Sequence, residues 1–172
     1  VLYCLIFTID GALRPGYSAI RDAVSYLLLG PSGWIEITNF IVLGLLLILF
    51  ALGFFQWMRR VIPSGWLSIS TALLVLVGVG FVMAALFLPD PFADPHISVH
   101  GALHKIAFEL AFFSLAIACL IIGSQFRKIA GWRIHGWYSM ITGLLTIIPP
   151  IANLAPQTPL SNPSQAVQFG GL

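Results

Sequence analysis

Apolar side chains run almost uninterrupted through residues 35–57, 66–88, 103–122 and 137–151, and the polar positions collect between these runs. A helix needs about 20 apolar residues to cross a hydrocarbon core roughly 30 Å thick. The first three runs reach that length and the fourth approaches it, so each is expected to be a transmembrane helix. Residues 1–9 read as the end of a fifth helix that starts upstream, which makes the chain an expected fragment of a longer polypeptide. The predicted fold class is all-α: a polytopic transmembrane helical bundle with five spans visible, the first truncated, forming a single bundle domain over 1–172.

The segments between the runs carry their own pattern. Within 10–31, Ser18 is placed to cap a helix with Ile20, Val24, Leu27 and Leu28 on one face and Arg21, Asp22 and Ser25 on the other, stopped by Gly30-Pro31. This predicts an interfacial amphipathic helix on the outer side. Trp34, Trp57, Trp66, Trp132, Trp137 and Tyr138 stand at the ends of the apolar runs, where amphipathic rings prefer the headgroup level. Three prolines stiffen residues 89–96, and a polar, Pro-rich, uncharged tail follows from 152 to 172.

Composition agrees with this picture. Hydrophobic residues make up 59% of the chain and charged residues 8%, which leaves a soluble domain too little polar surface to face water. The net charge of +2 gives no basis for nucleic-acid binding. Cys4 and Cys119 fall in different apolar runs at what should be opposite depths, so they are not expected to bridge. The charges set the orientation. Arg59 and Arg60 lie in loop 58–65, and Arg127, Lys128 and Arg133 lie in loop 124–136, with no acid beside them. Short loops rich in Lys and Arg remain in the cytoplasm. Loops 10–33 and 89–100 and the tail 152–172 are then outside a prokaryotic cytoplasmic membrane.

Candidate chemistry concentrates at the outer end. His100 and His104 are four residues apart, a spacing that puts two imidazoles on one helical face and can hold a metal ion. Asp90 completes the candidate metal set, with Asp94 and Asp10 nearby, and zinc is the ion that two His and a carboxylate suit. The alternative is a structural network in which these side chains bond to one another or to backbone carbonyls. Their face continues down the helix as Ala107, Ala111, Ser114 and Ala118, a stripe suited to close helix packing, so both histidines are expected to point into the bundle. His135, the histidine on the next helix, sits at the opposite end, which disfavours an internal b-type haem. Glu109 is the acid inside a span, and such a residue marks a functional site or has a partner; Lys105, one turn earlier, is its expected partner. No phosphate loop and no nucleophile elbow occurs, so no catalytic residue is nominated.

Several short blocks carry a family resemblance: Tyr17, Arg21, Val24-Ser25-Tyr26-Leu27, Gly30, Gly33-Trp34, Asn39-Phe40 and Gly44, then Pro89-Asp90-Pro91, His100-Gly101 with His104, and Trp137-Tyr138-Ser139. Together they resemble the bacterial and archaeal multi-pass membrane family catalogued as domain of unknown function 998. The resemblance implies six spans in the full protein and a shared outer polar cluster at Asp90, His100 and His104; it implies no activity. The function expected is that of a non-enzymatic membrane protein, an accessory or structural subunit whose partners are the lipid bilayer and other membrane subunits. The alternatives are an outer-side zinc hydrolase using His100 and His104, and a small transporter or proton path using Glu109.

Overall fold

The computed structural model describes residues 1–91 and 96–154. Among these the chain is helical throughout: α1 (Leu2–Leu13), a short 3₁₀ helix (Val24–Leu28), α2 (Gly33–Met58), α3 (Ser64–Leu86), α4 (Val99–Phe126), α5 (Arg133–Thr146) and α6 (Ile148–Leu154). Three of them, α2, α3 and α4, are long and apolar enough to cross a membrane. Their mean hydropathy leaves no amphipathic signal to orient them. Glycine and other small residues decide instead where they touch.

The helices α2 to α5 pack in sequence order, each on the next. At the α2–α3 crossing Gly44 and Gly78 face each other, and a Cβ on either would fall 2.5–2.6 Å from the other's carbonyl oxygen. The backbones therefore approach as closely as small residues allow in membranes. The α3–α4 contact repeats the device with Gly80 against Ala107 and Ala111. Ala107, Ala111, Ser114 and Ala118 are all buried, as the small-residue stripe predicted. At α4–α5, Gly143 lies on Ala116 and Gly136 on Gly123. The first helix, α1, packs on α2 and on the 3₁₀ helix.

Two apolar cores fill the bundle. One, around Ala51, Phe54, Met58, Ile62, Leu67, Leu74 and Ala118, occupies the end with Arg59, Arg60 and Arg127, here called the basic end. The other, around Leu28, Phe40, Ala84, Ala85 and Ala107, occupies the opposite, acidic end. The ring of Trp132 closes the basic core against Phe126 and Trp57. Trp34, Trp57 and Trp66 are about half exposed or more at helix ends, where the pattern had placed them.

Two expectations about elements need correction. The amphipathic helix expected from Ser18 to Gly30 is a run of turns ending in the 3₁₀ helix. Leu27 and Leu28 are fully buried against the bundle, but Ile20 is almost fully exposed. One tertiary anchor at the segment's end thus replaces a continuous apolar face. The last expected span, 137–151, is broken at Ile147. Pro149 and Pro150 supply no N–H to the carbonyls one turn back, so α5 cannot run through them. Asp94 and all of the expected tail beyond Leu154 lie outside the described residues.

Candidate functional site

The acidic end is assembled from loop and helix termini. Ser98 begins α4 as its N-cap, its hydroxyl accepting from the Gly101 N–H at 3.0 Å. Behind it stands Asp90, whose carboxylate accepts from the Ser98 N–H at 2.9 Å and from the Ser98 hydroxyl at 2.5 Å. A carboxylate is favoured at a helix N-terminus, where unpaired N–H groups concentrate positive charge. It can come this close because position 101 is glycine; a Cβ there would overlap the Asp90 carboxylate.

One turn further, His104 is buried and its Nδ1 lies 3.0 Å from the Ala84 carbonyl and 2.8 Å from the Phe87 carbonyl. Both partners are acceptors, so Nδ1 carries the proton and donates. These carbonyls are among the last of α3, which no longer have intrahelical donors. His104 thereby ties the end of α3 to the start of α4. His100 does not join it. Its side chain is exposed and leans on the Phe87 ring, 5.7 Å between centroids. The expectation that both imidazoles point inward is thus corrected. Helix α3 stops at Leu86, capped by Phe87, and a side chain one turn before His104 on α4 has no helix to face.

Asp90 is committed to Ser98, His104 to two carbonyls, and His100 faces outward. Among the described residues no three His, Cys, Asp or Glu side chains gather closely enough to hold a metal ion. His104 would keep Nε2 as a lone-pair nitrogen, as a ligand whose Nδ1–H is fixed by a carbonyl does.

A second polar cluster, which motif reasoning missed, lies where α1 meets α2. Asp10 is buried and accepts from Arg14 Nη2 at 2.8 Å, and Arg14 Nη1 donates to the Leu29 carbonyl at 2.6 Å. Glu36 is fully buried in the first turn of α2. Asn39 donates to Glu36 Oε2 at 3.1 Å and to the Tyr3 carbonyl at 3.2 Å. Glu36 Oε1 and Arg14 Nε are buried with no protein partner. The four-residue spacing of Asp10 and Arg14 was legible as a helix pair. Glu36 was not, since its burial comes from α1 and the 3₁₀ helix closing over it. The nearby Tyr17 phenol is pushed above its ordinary value by burial first and then by the Asp22 and Glu36 carboxylates.

Between these clusters opens an apolar cleft of about 310 Å³. Tyr3 of α1 and Val24 and Ser25 of the 3₁₀ helix form one side, and His104, Phe108 and Phe112 of α4 the other. Phe40 and Phe81 also line it, their rings tilted by 60° and 5.6 Å apart, with Tyr3 edge-on to both. The rings of Phe108 and Phe112 stand 4.3 Å apart along α4.

Glu109 and Lys105 are separated. Lys105 is exposed and no ion pair joins the two; both Glu109 carboxylate oxygens are buried without a partner. The expected pair is thereby corrected: Lys before Glu is the less favourable order on a helix, and Lys105 stays at the surface. At the basic end His135 is exposed beside Trp132.

An all-helical chain with three helices of membrane-crossing length and apolar surfaces turned outward defines an integral membrane protein of the helical-bundle class. The chain matches the family described as protein of unknown function (DUF998) over residues 1–168 and belongs to it. Searches of curated proteins and of solved structures gave no match.

Proposed function

We propose that the protein is a non-enzymatic, multi-pass protein of the prokaryotic cytoplasmic membrane that holds one apolar chain of a lipid in the cleft at its acidic end. The cleft carries this reading. At about 310 Å³ it stands at the lower edge of ligand sites, roughly 300–1,000 Å³. A helix, about 10–12 Å across with its side chains, is too wide for it, whereas a single hydrocarbon chain suits its aromatic walls. The basic loops 58–65 and 124–136 favour an orientation with the cleft in the outer leaflet. The polar groups around it support a holding role, because Asp90 and His104 are spent on fixing backbone. A zinc hydrolase would need His100 to turn inward and Asp90 to leave Ser98. As an accessory subunit, the protein would present this lipid to a partner chain.

The test is reconstitution in vesicles with a phospholipid bearing a photoreactive group along its acyl chain. Cross-links are expected on Phe81, Phe108 and Phe112, and filling the cleft with Ala84→Phe is expected to remove them. Labels spread evenly over exposed positions such as Leu45 and Leu49 would overturn the reading.

A further inference from the structure

The rings of Phe108 and Phe112 form one wall of the cleft, and that wall has a charged neighbour. Lys105 precedes Phe108 by three residues and Phe112 follows it by four, the spacings of neighbours on one helical face. Lys105 thus stands on the phenylalanine face, about 4.5 Å nearer the acidic end than Phe108 at 1.5 Å per residue. Its Cα–Cβ bond tilts toward the helix N-terminus, as on every α-helix, so the stem sets out toward that same end. The side chain is exposed and makes no hydrogen bond or ion pair among the described residues.

Depth agrees with this order. With 28 residues α4 is roughly 42 Å long. Centred on a hydrocarbon core roughly 30 Å thick, it overhangs by about 6 Å at each end. Lys105, six residues after Val99, lies about 9 Å along the axis, just inside the core boundary. From there an ammonium group reaches the headgroups by snorkelling while its stem lies on apolar surface. Phe108 and Phe112 stand deeper, among acyl chains. From the boundary inward the stripe reads cation, aromatic, aromatic, the order in which a phospholipid presents phosphate and then hydrocarbon.

The surrounding charges leave room for an anion. Among the described residues lining the cleft none is acidic. The carboxylates of the acidic end are engaged or enclosed: Asp10 holds Arg14, Asp90 holds Ser98, Asp22 accepts from the Ser18 N–H, and both Glu109 oxygens are buried. We propose, on the basis of the lipid reading of the cleft, that Lys105 selects its occupant: a glycerophospholipid with a net negative headgroup. The phosphate lies against the Lys105 ammonium and one acyl chain runs along Phe108 and Phe112. The aromatic wall holds the chain whatever the headgroup, and the lysine determines which headgroup is preferred.

The experiment reconstitutes the intact protein in phosphatidylcholine vesicles with either of two probes that share one photoreactive acyl chain, a phosphatidylglycerol and an uncharged diacylglycerol. Mass spectrometry reads cross-links on Phe108 and Phe112 against those on the exposed Leu45 and Leu49. The phosphatidylglycerol probe is expected to label the cleft about fivefold more, the ratio that about 1 kcal/mol for one lysine at a membrane surface gives. No such preference is expected at Leu45 and Leu49. Lys105→Gln is expected to remove the preference while the diacylglycerol label stays, and Lys105→Arg to keep it. Equal labelling of the wild-type cleft by both probes, a preference that survives Lys105→Gln, or the same preference at Leu45 and Leu49 would overturn the role of Lys105 and leave the lipid cleft standing. No cleft label from either probe would overturn both.

Discussion

The two ends of the bundle use the same helices and hold together by different physics. At the basic end the charges stay in the loops and the interior is mostly volume: Phe54, Met58, Ile62 and Leu67 pack against Phe126 and Trp132, and the buried polar side chains there, such as Ser70, Thr71 and Gln125, are uncharged. At the acidic end the interior includes Asp10, Glu36, Asn39 and His104, all buried, and their partners are mainly carbonyls at element ends. The difference follows from how the elements stop there. Helix α1 stops at Leu13, the 3₁₀ helix runs only from Val24 to Leu28, and α3 ends below the start of α4, so unpaired backbone groups cluster and polar side chains answer them. One end is specified by shape, the other by hydrogen-bond partners, and the cleft lies at the second.

Isosteric substitutions break this contrast most directly. Asp10→Asn preserves volume but leaves the part-buried Arg14 without its buried carboxylate partner, with an expected loss of about 3 kcal/mol, the lower edge for breaking a buried pair. Leu67→Met at the basic end likewise preserves volume and is expected to cost less than about 1.5 kcal/mol. Denaturant titration in detergent checks both, and similar losses would erase the distinction between the ends.

A smaller effect is expected from His104→Ala. It leaves the Ala84 and Phe87 carbonyls without their donor and is expected to cost about 2 kcal/mol, the range for an orphaned buried group. His100→Ala, on the exposed turn, is expected to change stability by less than about 0.5 kcal/mol. Thermal melts of the two variants compare them, and equal losses would show that both histidines pin the helices.

The smallest effect concerns pH. The folded Tyr17 phenol titrates above its ordinary value, so the folded chain keeps a proton that the unfolded chain releases near pH 10, roughly the free phenol value. Stability from this group is complete below that pH and declines as pH rises through it. A melting curve followed from neutral to alkaline pH should fall less in Tyr17→Phe than in the wild type.

Hydropathy located α2, α3 and α4 within a few residues of their observed bounds, and the small-residue stripe of α4 named the face that meets α3. It failed at segments whose form depends on a neighbour. The pattern from Ser18 to Gly30 fits a helical face, yet the burial of Leu27 and Leu28 on α2 outweighs continuing that helix past Ile20. The candidate site was legible in part. Asp90 and His104 do share the acidic end, but His100 turns away because α3 has already stopped at its level. Glu36 belonged to no motif and Asn39 only to a block of family resemblance, and neither pattern names their partners, a carbonyl of α1 and each other.

The sequence by itself determined the class of this protein and the break between α5 and α6, although the apolar run over 137–151 had masked that break. Both follow from local chemistry: long apolar runs require a membrane-like surrounding, and Pro149 and Pro150 withhold N–H groups wherever they are placed. Tertiary structure alone decided which polar side chains are paired, which are exposed and which are buried without a partner. Asn39 finds the Tyr3 carbonyl, His104 finds the end of α3, and the Glu109 carboxylate oxygens are buried without a partner. These outcomes depend on where one helix ends beside another, a relation between distant parts of the chain that no local pattern encodes.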